Sequence, residues 1–341
     1  MKQINLSRCA GIALVTLVSG FTAGHAQTSV LDPVSLRTNA LRLLAPIPEK
    51  IPGAEKDTPS LVSLGKELYF DKRLSKNSSQ SCNTCHAVDG GRPGVDNQPT
   101  SLGAFGKRGG RNSPTTFNAA LHMAQFWDGR AADLKEQAKG PILNPVEMAM
   151  STETEVLERL KADKSYPGSF KQAFGGESDP ISYENVAKAI AAFERTLITR
   201  DRFDDFLKGK DDALSAAELR GLNTFLTAGC TTCHNGPLLG GNTYQKVGLL
   251  KPYSNQTDLG RAAITKDEDD NFKFKVPSLR NIALTYPYFH DGKVGALHEA
   301  VRQMADMQLG LELTKEQEAD LLAFLKTLNG KGLTTATATT K

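Results

Sequence analysis

Two five-residue runs carry the most specific chemistry in this sequence: Cys82-Asn83-Thr84-Cys85-His86 and Cys230-Thr231-Thr232-Cys233-His234. In such a run two thiols can form thioethers to the two vinyl groups of a haem, and the adjacent histidine brings its imidazole to the iron. Two other uses of paired cysteines fit poorly. A single structural zinc would need the two pairs about 15–20 residues apart, whereas Cys82 and Cys230 are separated by 148 positions. A thioredoxin-like pair needs a βαβ setting, and neither pair has one. The chain holds five cysteines, and the fifth, Cys9, lies in an apolar leader. None is left for a disulfide, so two covalent c-type haems are the expected cofactors.

What each iron does depends on its sixth ligand. An electron carrier fills both axial positions, while a catalyst leaves one open or weakly held. An internal repeat lets the two irons be compared. Pro114, Asn118, Asp128 and Leu134 follow the first motif at spacings of 4, 10 and 6, and Pro277, Asn281, Asp291 and Leu297 follow the second at the same spacings. Phe126-Trp127-Asp128-Gly129 likewise matches Phe289-His290-Asp291-Gly292. Seven residues after Leu297 stands Met304, whose thioether can bind iron; seven after Leu134 stands Pro141, which cannot. A His/Met haem has a raised potential suited to electron entry, and a first haem without a strong sixth ligand suits substrate. Met307 is the competing ligand, and Met148 and Met150 read as core residues.

The elements that must position these groups are mostly helical. Each repeat closes with an amphipathic segment, 189–197 in the first and 320–328 in the second, with apolar residues at i, i+3 and i+4. The pattern predicts helices near 61–70, 131–139, 153–164, 183–198, 215–227, 295–304 and 314–328. Asp57-Thr58-Pro59 and Thr314-Lys315-Glu316-Gln317 read as capped starts, the second with a capping-box glutamine. Gly-rich loops fill 89–113 and 235–260 without sustained strand alternation. Gly330 and Gly332 end the last helix, and the tail at 332–341 is expected to be disordered.

Residues 1–26 read as a secretory signal peptide. Lys2 and Arg8 precede an apolar run, and Gly24-His25-Ala26 supplies small residues for cleavage. This points to the periplasm. Cys9 lacks the small-residue context of a lipid-attachment site. No later stretch approaches the roughly 20 apolar residues of a membrane span. Losing Lys2 and Arg8 takes the formal net charge from +3 to +1, which gives no electrostatic ground for nucleic acid or an anionic membrane. The charged stretch 201–212 marks the expected boundary between an N-terminal domain at 27–200 and a C-terminal domain at 201–331.

From about residue 64 to 328 the chain resembles the bacterial dihaem cytochrome c peroxidases. The resemblance is carried by Leu64-Gly65-Lys66-Glu67-Leu68-Tyr69-Phe70-Asp71, Arg111-Asn112-Ser113-Pro114-Thr115, Gln125-Phe126-Trp127-Asp128-Gly129-Arg130, Gln137-Ala138-Lys139-Gly140-Pro141 and Pro287-Tyr288-Phe289-His290. It implies an all-α fold of two tandem class-I-like cytochrome c domains with long irregular loops, each binding one haem. By the same resemblance His86 is proximal to a peroxidatic haem, and His234 and Met304 hold an electron-transfer haem. Gln137 and Glu147 match a distal-pocket pair, in which Glu147 moves the proton that the departing peroxide oxygen needs. Trp127 matches an aromatic lying between the haems. Asn112, with the carbonyls of Thr285 and Pro287, matches a calcium site of oxygen ligands. The reaction implied is reduction of hydrogen peroxide to water by a homodimer, with electrons from a small periplasmic cytochrome c or cupredoxin.

One position departs from the family. Many members carry a histidine in the glycine-rich loop that caps the peroxidatic iron until the other haem is reduced. Ala104 stands there in this sequence, and alanine cannot bind iron. The first haem is therefore expected to be open or water-bound when oxidised, with His122 or Met123 as rival caps. Read without the resemblance, Trp127 is a core residue, Glu147 a helix-end charge, His290 a hydrogen-bonding histidine, and His122 and His298 structural or surface residues. Two rival functions remain: a pure electron-transfer dihaem cytochrome, and a protein-cofactor-maturing dihaem oxidase. The latter resembles this chain but carries tyrosine where Met304 stands.

Overall fold

The computed structural model describes residues 31–334; the expected signal peptide and all but the first residues of the expected tail lie outside them. Its principal helices are α1 (Pro33–Ala40), α2 (Pro59–Phe70), α3 (Cys82–Cys85), α4 (Leu134–Leu143), α5 (Glu153–Ala162), α6 (Tyr166–Ala173), α7 (Tyr183–Glu194), α8 (Arg202–Leu207), α9 (Ala216–Thr227), α10 (Ala262–Thr265), α11 (Leu297–Leu309) and α12 (Lys315–Lys326). Strands β1 (Tyr244–Lys246) and β2 (Lys273–Lys275) form a short antiparallel ladder in which Gln245 faces Phe274. The molecule is helical with little strand, and no helix among the described residues is long and apolar enough to cross a membrane.

The expected caps form. Thr58 accepts a hydrogen bond from the Leu61 amide with Pro59 in the first turn, and Thr314 and Gln317 close a reciprocal capping box. Three features depart from the sequence expectation. Helix α11 runs on to Leu309, where Gly310 at φ 63° ends it, so Met304 sits inside the helix. The β1–β2 ladder lies partly within the expected Gly-rich loop, because three-residue strands are too short to show alternation. Helices α1 and α6 are eight residues each, too short for a clear period.

The repeat is visible in the backbone. Helices α2 and α7 cross so closely that a Cβ on Gly65 would fall 1.8 Å from the Ala189 carbonyl oxygen. Helices α9 and α12 cross the same way, with Gly221 at 1.9 Å from the Asp320 carbonyl oxygen. Only glycine permits either approach. Asn118 and Asn281 both take left-handed conformations, at φ 62° and 66°. Their amides donate to Leu197 and Leu328 carbonyls at 2.7 and 2.8 Å, and both side chains converge on the Thr199 hydroxyl.

Two large apolar clusters follow from these crossings. One gathers Leu64, Leu68, Tyr69, Phe170, Ile190 and Phe193. The other gathers Phe203, Phe206, Leu222, Phe225 and Phe324, together with Leu36, Ala40 and Leu44 from the start of the described chain. The charged stretch 201–212 is packed over its first half, while 208–212 is exposed. Phe203 and Phe206 of α8 are fully buried, and Asp201 and Asp204 pair with the fully buried Arg280 at 2.7 and 3.1 Å.

Candidate active site

Helix α3 is held by a capping box in which Ser81 and Thr84 satisfy each other's backbone amides, so the first cysteine pair sits on a fixed turn. His86 follows it. Its Nδ1 donates to the Pro114 carbonyl at 2.9 Å; a carbonyl can only accept, so this bond fixes the tautomer and leaves Nε2 with its lone pair free for a metal. Tyr69 donates to the His86 carbonyl at 2.7 Å, which secures the backbone from below.

A cavity of about 480 Å³ opens above this histidine. Cys82, Cys85, His86, Asn112, Trp127, Gln137, Glu147 and Glu194 all line it. The volume lies within the range of cofactor pockets. Two thiols, a free imidazole nitrogen and apolar walls from Leu134, Ile142, Met148 and Ile190 suit a covalently attached haem. The expected first-haem residues therefore converge on one space.

Glu147 is half-buried, and its Oε1 accepts from the Asn144 side chain at 2.8 Å. Burial raises its pKa, and Arg130 and Asn144 pull it back down. The Glu147 carbonyl accepts the Ala104 amide at 2.7 Å, and the Ala104 carbonyl accepts from Asn77. The loop bearing Ala104 is thus latched to the acid's own backbone. Leu102 and Gly103 line the cavity from that loop, while Phe105 is 60% exposed.

Trp127 joins two regions. It lines the cavity and donates its indole N–H to the Asn112 carbonyl at 2.8 Å. Its other contacts are in an apolar cluster that holds Tyr288, Phe289, Met307 and, at the edge, Met304. His290, its counterpart in the repeat, meets it edge-on at 6.5 Å between ring centres. His290 is 2% exposed and its Nε2 has no hydrogen-bond partner among the described residues, while its ring stacks on Phe274 at 4.1 Å. Arg111 bonds both Asp128 and Asp258 at 2.7 Å and locks the turn after Trp127.

The second motif is held differently. His234 Nδ1 donates to the Leu239 carbonyl at 3.0 Å, again freeing Nε2. Cys230 borders the second large cluster, and Met304 borders the cluster of Trp127; Ile282 and Leu297 belong to the edges of both. Met304 is half-buried, whereas Met307 is buried in the core. Met148 and Met150 are core residues, and His298 is exposed.

The calcium candidates fall in one loop cluster without being brought into direct contact. Asn112 donates to the Gln98 and Pro99 carbonyls at 3.0 and 3.3 Å, leaving its amide oxygen as a possible ligand. Asn97 donates to the carbonyls of Leu284 and Tyr286 at 3.0 and 2.7 Å, on either side of Thr285, and Tyr286-Pro287 is cis. Among the described residues no group of three or more His, Cys, Asp or Glu side chains forms a metal cluster.

Two features escaped the sequence reading. Glu194 is a buried carboxyl in the cavity wall, and Lys275, 6% exposed, has His122 Nδ1 as its neighbour. Burial pushes the lysine down to about 7. The signal for Glu194 was available: in the repeat it stands opposite Leu325, which marks a buried position.

The chain is similar to several known proteins. A family model for di-haem cytochrome c peroxidase matches residues 59–212. The cytochrome c551 peroxidase of Pseudomonas aeruginosa is 46% identical over 315 residues, 89% of each chain. The methylamine utilization protein MauG of Methylorubrum extorquens is 34% identical over 95% of this chain and 92% of its own. A solved MauG-like protein associated with microbial copper homeostasis matches with a TM-score of 0.73 at 31% identity, over 84% of this chain and 93% of that one.

Proposed function

The chain belongs to the di-haem cytochrome c peroxidase family, and from that premise we propose that its two haem sites divide one reaction between them. It is an oxidoreductase, a dihaem peroxidase acting on hydrogen peroxide. Two electrons and two protons turn each peroxide into two waters. The observation that carries the division is the cavity: His86, Gln137, Glu147 and Trp127 line it together, while Met304 lies in the other half.

His86 would hold the first haem and His234 with Met304 the second, each haem fixed by its cysteine pair. The bound haems supply the redox chemistry. The protein's own part begins at Glu147, a half-buried carboxyl in the cavity wall that would pass a proton to the leaving oxygen. Asn144 fixes that carboxyl, and Gln137 offers an amide to orient the peroxide. Trp127 provides the packed contact for electrons passing between the halves. Ala104 stands where many members carry the capping histidine, so a haem held by His86 would accept peroxide without prior reduction.

The remaining assignments complete the reading. The halves form two cytochrome c-like domains, 27–200 and 201–331, and a calcium ion held by Asn112 and the carbonyls of Thr285 and Pro287 braces the joint. A homodimer works in the periplasm, taking electrons from a small cytochrome c or cupredoxin. The exposed Leu249, Leu250 and Leu311 beside the end of α11 offer that donor an apolar landing. The test is peroxide turnover by the haem-loaded protein with a reduced small cytochrome c. Turnover that survives Glu147→Gln unchanged would overturn the assigned proton route.

A further inference from the structure

Glu194 ends helix α7 and is 4% exposed. It lines the same cavity as Cys82 and His86, and its Oε2 is buried with no hydrogen-bond partner among the described residues. A buried carboxyl is normally paired. The nearest candidate cation, Arg195, instead binds Asp57 through two bonds of 2.5 and 2.7 Å.

The other groups around the cavity leave it unpaired. From α2, Tyr69 gives its hydroxyl to the His86 carbonyl and shares it with Thr116. From α3 comes Cys82, a thioether once the haem is attached. Helix α4 presents neutral Gln137 to the cavity, while its Lys135 and Lys139 bind Glu184 at the opposite end of α7. The other cavity carboxyls are both engaged: Glu147 accepts from Asn144, and Asp128 accepts from Arg111 and Arg130, which line the wall with it. Burial alone pushes the Glu194 acid up to about 8, against a small pull from Arg195.

The repeat shows that the fold does not require this group. Position 194 corresponds to Leu325 in the second half, on the helix that crosses α9 as α7 crosses α2, and Leu325 is buried to the same degree. A carboxyl therefore stands beside the first haem site where the second half has a leucine.

We propose that Glu194 is a proton-holding group coupled to the first haem, taking up one proton when that haem gains an electron and releasing it when the electron leaves. The sign follows from electrostatics. An electron added to the site disfavours the carboxylate and favours the acid; its removal does the reverse. Peroxide reduction consumes one proton per electron, so each electron stored at the first haem is matched by a proton held in the same cavity wall. This rests on the seating of the first haem at His86.

The test is a potentiometric titration of the haem-loaded protein from pH 6 to 9, following each haem by its own absorption bands. In the wild type the first-haem electron affinity should fall with pH, by up to tenfold per unit, or about 59 mV for one electron. Glu194→Gln, and Glu194→Leu as the second-half residue, should flatten that slope and leave the second haem unchanged. Coincident first-haem slopes in wild type and Glu194→Gln would overturn the proposal. Should the variants lose haem, the redox-difference infrared spectrum of the wild type decides. It should show a carboxylic C=O band lost on oxidation of the first haem, and its absence overturns the proposal. A protein that takes up no haem contradicts the functional reading itself; a loaded protein with coincident slopes contradicts only the role of Glu194.

Discussion

The first and second halves share a backbone plan and differ at positions beside the first cavity and in the core. Both have a glycine-mediated helix crossing, a left-handed asparagine and a buried turn carrying Asp-Gly. Against this common frame, Trp127 corresponds to His290, Glu194 to Leu325, Pro141 to Met304 and Phe117 to Arg280. A half that only carries electrons needs a saturated iron in an apolar shell, while one that meets peroxide needs space, a proton and an open coordination position.

The largest expected effect probes the reactive side of this comparison. Glu147→Gln should lower kcat/KM for peroxide by about 10²–10⁴-fold, while reduction of the second haem by the donor proceeds at the wild-type rate. A stopped-flow comparison of the two steps checks both statements.

Next comes a structural difference. Arg280→Met leaves Asp201 and Asp204 buried without their cation, and should cost about 3–5 kcal/mol in urea unfolding. Phe117→Leu at the matching position of the first half should cost less, because no charge is stranded.

A third pair separates ligand from core. Met304→Leu should abolish the methionine-to-iron charge-transfer band with little loss of stability. Met307→Ala should keep the band and destabilise by about 2–5 kcal/mol. Band loss in the Met307 variant alone would reverse the assignment.

The smallest effect concerns the joint. Chelating calcium should slow electron passage between the haems, and Asn112→Ala should weaken calcium binding without altering either haem spectrum. Unchanged transfer in calcium-free enzyme would remove the ion from the account.

Much of this was legible in the sequence because it was written in short, local signals. The haem motifs, the caps at Thr58 and Thr314, and the repeat spacing each act within a few residues. The cavity partners Gln137, Glu147 and Trp127 came from the family resemblance, and the structure places all three along one space. What stayed hidden depends on distant contacts. Asp201 and Asp204 fell in the stretch read as a domain boundary, and their pairing was hidden because Arg280 lies far along the chain. Lys275 and His122 meet only in the folded molecule. Glu194 faces a cavity that exists only in the folded molecule.

The central claim, that the first iron is open while the second is saturated, is tested most directly by the EPR spectrum of the fully oxidised protein. The account predicts a high-spin ferric signal from one haem beside a low-spin signal from the other, with cyanide converting the first at once. It also predicts that Ala104→His suppresses the high-spin signal. Two low-spin haems in the wild type, and no cyanide binding until an electron is added, would contradict it.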